Sequence, residues 1–91
     1  MWDIIIPKKI LKNIEKYPNI QPVYQQFLKD LTTHGPYLVW YPNYGKLKGG
    51  WAYHCHLSKG NPTFVAVWEI KDKKIKLIEV TYVGTHENAP Y

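Results

Sequence analysis

His54, Cys55 and His56 stand in a row in the stretch Lys46–His56, KLKGGWAYHCH, and a further histidine, His86, lies in the closing segment GTHENAPY. Successive side chains of an extended strand point to opposite faces. Trp51, Tyr53, Cys55 and Leu57 therefore share one face, and Ala52, His54, His56 and Ser58 share the other. With the aromatic face buried, two imidazoles stand together in solvent, approached by Lys46 and Lys48. Such a pair suits RNA cleavage. The 2′-hydroxyl must lose a proton as it attacks phosphorus, and the departing 5′-oxygen must gain one. Histidine titrates near neutral pH and can serve either step, while lysines stabilise the charge that builds on phosphorus.

Two other chemistries use the same residues. A zinc ion would take His54 and His56 from one strand face, with His86 as a third ligand. Cys55 points away from that cluster and no acidic ligand is near in sequence. A cysteine–histidine nucleophile needs the thiol and imidazole within reach, and neighbours in a strand diverge. His34 has a simpler role as a surface residue at a helix C-terminus, where a positive charge is favoured. On the residues alone the acid–base, zinc and thiol readings stand side by side.

The elements that must position these groups follow from pattern. Residues 2–6 carry the apolar, β-branched run Ile4-Ile5-Ile6 closed by Pro7, which predicts a short first strand. Pro7 also suits a helix start, and Ile10, Leu11, Ile14 and Tyr17 form an apolar stripe before Pro18-Asn19 breaks it. A second helix is expected from about Gln21 to His34, with Phe27, Leu28 and Leu31 on its apolar face and Gly35-Pro36 as the stop. Two such helices with a short break predict an antiparallel hairpin. Residues 36–50 read as a loop rich in Pro, Gly and aromatics. In it Trp40 is expected to cover the core edge, and Tyr44, beside Lys46 and Lys48, to meet a ligand base. Three strands follow, at about 51–58, 63–70 and 75–83, with a polar hairpin at Lys71–Lys74. The 63–70 strand is mostly apolar and should be central. The fold class is α+β: a short N-terminal strand and a two-helix hairpin packed on a small antiparallel sheet.

Composition bounds the function. The 91 residues make one domain, and 45% hydrophobic with 15% aromatic content argues against disorder. The net charge is +5, carried by twelve lysines and no arginine, which points to an anionic partner. A single cysteine excludes an intrachain disulfide. No targeting or spanning segment is visible, so the expectation is a cytoplasmic protein with no membrane partner.

The motif run carries a resemblance. LKG followed by Trp51, then Tyr53 and Cys55-His56, then an apolar hairpin ending in GTH, resembles the RelE/ParE superfamily of bacterial toxins, most closely its RelE and YafQ branch. The likeness covers about residues 40–91. It implies a RelE-like fold over residues 1–91 and a toxin of a toxin–antitoxin pair that cuts messenger RNA on the ribosome without metal or cofactor. By position, His56 and His86 match the branch's catalytic histidines, with His54 beside them and Tyr91 matching the aromatic after GTH. Lys46 and Lys48 match its basic approach to the strand. Lys59 and Tyr44 complete the expected RNA-binding set. The implied partners are a cognate antitoxin, messenger RNA on the ribosome and operator DNA through the antitoxin complex. The rival within the family is a non-catalytic protein that binds antitoxin and DNA; gyrase poisoning does not call for clustered histidines. The chain departs from the branch at Lys59-Gly60-Asn61-Pro62, where an aspartate is usual, and at Tyr44, where a histidine is usual.

Overall fold

In the computed structural model, which describes residues 1–50 and 52–91, the chain runs β1 (Asp3–Ile5), α1 (Lys8–Glu15), a 3-10 turn (Pro18–Ile20), α2 (Gln21–His34), β2 (Gly45–Lys46), β3 (Ala52–His56), β4 (Phe64–Asp72), β5 (Leu77–Thr85) and a last 3-10 turn (His86–Asn88). Trp51, expected beside Tyr53 on the apolar face, lies outside the described residues. The protein is α+β. Both helices cover one face of a five-stranded sheet ordered β1-β5-β4-β3-β2. The apolar β4 is central, as its composition required. Strands β2 to β5 pair antiparallel, whereas β1 joins β5 in parallel at the edge, so the sheet is mixed rather than purely antiparallel.

Local chemistry sets the helix ends. Tyr17 precedes a proline, which disfavours the helical region, and it leaves the helix at φ −130° and ψ 69°. The 3-10 turn then runs straight into α2, so the break after α1 is followed by one continuous helical run from Pro18 to His34. Gly35 ends α2 at φ +76°, and a Cβ there would lie 2.6 Å from the Trp2 indole nitrogen. Glycine is needed at this point for both reasons. The Trp2 amide donates to the Thr32 carbonyl at 2.9 Å, which pins the start of β1 against α2.

Ile10, Ile14, Phe27 and Leu31 are buried against the sheet as expected; Leu11 turns outward and is 47% exposed. Ile20 and Tyr24 join the core instead. The sheet contributes Phe64, Ala66 and Trp68 to this core, and the alternates Val65 and Val67 face the other way. Trp68 is fully buried, packs edge-on against Phe27 at 5.3 Å, and its indole N–H donates to the Pro36 carbonyl at 3.1 Å. Each large side chain buried in this way contributes roughly 1.5–3 kcal/mol. Asn13 of α1 donates its side-chain amide to Val83 of β5 at 2.6 Å and fixes that helix on the sheet.

Local details differ from the sequence pattern. Gly45–Lys46 forms a short edge strand inside the expected loop. The β4–β5 turn lies at residues 73–76 instead of 71–74, because the Asp72 carboxylate accepts from the Lys74 and Ile75 amides and Lys76 takes a left-handed φ of +56°. Thr81 is an extra residue in β5: Trp68 pairs with Val80 while Val67 pairs with Tyr82.

Candidate active site

The alternation of β3 is realised in the fold. Tyr53, Cys55 and Leu57 are buried on the helix side, and His54 and His56 are half-buried on the opposite face. Their cross-strand partners are Val67 and Val65, so the two imidazoles stand over buried aliphatic side chains on β4. The backbone N–H of His56 donates to the Pro42 carbonyl at 2.7 Å, which stitches the aromatic loop to this edge of β3.

The chain's last residues complete the cluster. Leaving β5, the His86 amide donates to the Thr63 carbonyl at 2.8 Å beside the start of β4. The turn His86–Asn88 then reverses the chain, and Tyr91 reaches His54 with ring centroids 4.8 Å apart. His56 and His86 are 5.5 Å apart and edge-on, and His86 and Tyr91 are 6.1 Å apart. Four side chains from β3 and the tail therefore form one contiguous group. Gly84 helps to set the exit: a Cβ there would lie 2.6 Å from the Tyr82 hydroxyl and 2.7 Å from the Asn13 side chain. With hydrogen in that place, the Tyr82 hydroxyl folds over the strand and donates to the Thr85 carbonyl at 2.7 Å.

Burial and mutual repulsion tune these groups. The His54 pKa is lowered by burial and then by His56, and the His56 pKa is lowered by burial and then by His86. Both are held neutral at physiological pH. Among the described residues no hydrogen-bond partner meets the buried His54 Nδ1, and the ring lies close over Gly45. Burial raises the Tyr91 hydroxyl, with Cys55 and Tyr82 adding to the effect, so it remains a proton-bearing donor. Cys55 is fully buried among core residues and burial pushes its thiol up to about 12, which leaves a packing residue without thiolate character. Such an arrangement can accept a proton at one imidazole, release one at another, and hold a phosphate oxygen through the tyrosine hydroxyl.

The other residues picked from sequence lie elsewhere. Lys46 pairs with Tyr53, shares its face, and sets its ammonium 5.9 Å from that ring, on the side away from the histidines. Tyr44 stacks on Tyr53 at 6.1 Å and packs against the core. Trp40, expected to cover the core edge, is instead 54% exposed. Lys48 is exposed in the β2–β3 turn, and Lys59 is exposed in the β3–β4 loop. That loop and the tail frame a small cleft lined by Gly60, Asn61, Pro62, Thr63, His86 and Glu87. Val65, Val67, Tyr82 and Gly45 support the site and were not singled out from sequence. Tyr82 and Gly84, two apart in a strand, carried a usable signal of a shared face. Among the described residues, no group of three or more His, Cys, Asp or Glu side chains is arranged to hold a metal ion. Among them, too, no helix is long and apolar enough to cross a membrane.

Searches against protein-family models, curated proteins and solved structures find no match for this chain.

Proposed function

We propose that this protein is a metal-independent endoribonuclease of the RelE-like toxin kind, acting on messenger RNA held by the ribosome. The observation that carries the reading is the His56–His86 pair, 5.5 Å apart on the open sheet face, with Tyr91 and His54 against it. Two imidazoles this close resist double protonation, so when the pair carries an added proton one ring is charged and the other neutral. That is the state an acid–base pair needs at the start of a transesterification. Half-buried His56, held neutral, takes the 2′-hydroxyl proton; His86, at the solvent edge, gives its proton to the 5′-oxygen. The Tyr91 hydroxyl donates to a non-bridging phosphate oxygen. A shallow face of this kind cannot force a flexible strand into in-line attack by itself, so the ribosome supplies the alignment. As a basic chain, it would be silenced by an acidic antitoxin segment, with operator DNA bound through that complex.

A second reading draws on the positions of Lys46 and Tyr44. Both lie on the helix side and not with the histidines, as would suit a non-catalytic family member that binds antitoxin and DNA. One experiment separates the two. The protein is added to a translating extract and the message is read by primer extension. The nuclease reading expects discrete cuts that persist in chelator and fall by roughly 10²–10⁴ in rate in His56→Ala and in His86→Ala, with the folded state unchanged by circular dichroism. Unaltered cutting by His56→Ala, or no cutting by the parent protein, sinks it.

A further inference from the structure

A well-formed cleft lies away from the histidine face. It is about 370 Å³, sits between α1 and the end of β5, and is lined by Lys9, Lys12 and Lys16 along one wall. Spacings of three and four place these lysines on one side of α1. Between the first and last they span about 10 Å of helix, at 1.5 Å per residue. Asn13, Thr81, Tyr82, Thr85 and Asn88 supply polar groups, while Ile10 and Tyr17 supply apolar surface. Among the described residues no acidic side chain lines this cleft. The contrast with Lys71 is instructive: its ammonium sits 3.2 Å from Glu69 and 3.4 Å from Glu79, so its charge is locally answered.

Three ammonium groups in a row over an open groove fit an extended polyanion better than a compact one, because they offer several separated charges and no enclosing wall. The groove also adjoins the histidine cluster. Thr85 and Asn88, on its rim, flank His86 and Glu87, which line the small cleft beside the cluster. We infer that the α1–β5 groove binds the phosphate backbone of a single RNA strand, as a continuation of the path that crosses His56 and His86. The proposal deepens the nuclease reading and rests on it for the identity of the strand. Lys9, Lys12 and Lys16 hold successive phosphates as point charges, and Asn88 and Thr85 mark where the strand turns from one site to the other.

The test uses the full chain and a fluorescein-labelled 2′-O-methyl oligonucleotide, which binds without being cut. Affinity is measured by anisotropy across a salt series. Lys9→Gln/Lys12→Gln/Lys16→Gln keeps helix propensity; Lys29→Gln/Lys73→Gln/Lys74→Gln removes equal charge elsewhere. With a strand of about 12 nucleotides, the groove variant should bind at least tenfold more weakly at low salt, and its salt slope should shrink by about 2, near 0.7 per lost phosphate. The control variant should lose much less of either. With a strand of about four nucleotides, which fills the histidine site alone, the groove variant should match the parent. Equal losses in the two triple variants, or no binding of the long strand by the parent protein, overturns the groove. Groove-dependent binding by a parent that cuts no translated message removes the nuclease and keeps the groove. Cutting with an unchanged salt slope does the reverse.

Discussion

Strand β3 has two faces, one residue apart, that obey different rules. On the helix side Tyr53, Cys55 and Leu57 are 7%, 0% and 8% exposed, and they continue through Trp68 and Phe27 into a dense aromatic and aliphatic core. On the other side His54 and His56 rest on Val67 and Val65, covered only in part by the tail. The first face is packed so tightly that any change of volume is felt throughout the domain. The second is apolar beneath and wet above, a boundary that depresses the imidazole pKa values without sealing them from solvent. Backbone alternation alone separates a packed face from a histidine face.

The largest effect belongs to the packed face. Trp68→Ala should lose about 3–5 kcal/mol, enough to unfold much of a small domain, and urea denaturation measures it. A loss below about 1 kcal/mol would mean that this face is not the core. Next in size is Cys55→Ser, which puts a hydroxyl among core side chains and should lose about 1–3 kcal/mol, while the rate of RNA cutting by the folded fraction stays at the parent level. A selective loss of cutting at unchanged stability would move Cys55 from the first face to the second.

Smaller effects probe the histidine face. In the folded protein His54 and His56 titrate below the usual value of about 6.5, to which they return on unfolding. The unfolded chain therefore takes up protons first as pH falls. Stability should drop from about pH 6.5 downward until the folded pKa values are passed, and these groups add no pH dependence above that range. The thermal midpoint measured by circular dichroism between about pH 7.5 and 5.5 should fall in the parent and stay flatter in His54→Gln/His56→Gln. A midpoint that climbs as pH falls would show a face that favours the charged imidazole. Smallest is Gly45→Ala. The new Cβ would come within 3.2 Å of His54 Nε2, tilting the ring off its rotamer at roughly 0.5–1.5 kcal/mol. Its signature is a shift of the His54 proton resonance and its titration, with the core unmoved.

The sequence by itself determined what is local. The α2 span from Gln21 to His34 followed from a period near 3.6 and a Gly-Pro stop, and the split of β3 into aromatic and histidine faces followed from a period of two. The mostly apolar composition of residues 63–70 placed β4 at the centre of the sheet. Tertiary structure decided everything that depends on pairing between distant segments. Register between β2 and β3 turned Lys46 toward Tyr53, because a shift of one residue exchanges faces, and no pattern within Gly45–Lys46 reveals which partner it meets. The parallel edge position of β1 joins residues more than seventy apart in the chain. His86 reaches His56, and Tyr91 reaches His54, only because the tail reverses after β5 and returns across the sheet. Residue types suggested the proposed chemistry; the contacts that bring those residues together are non-local and therefore belong to the fold.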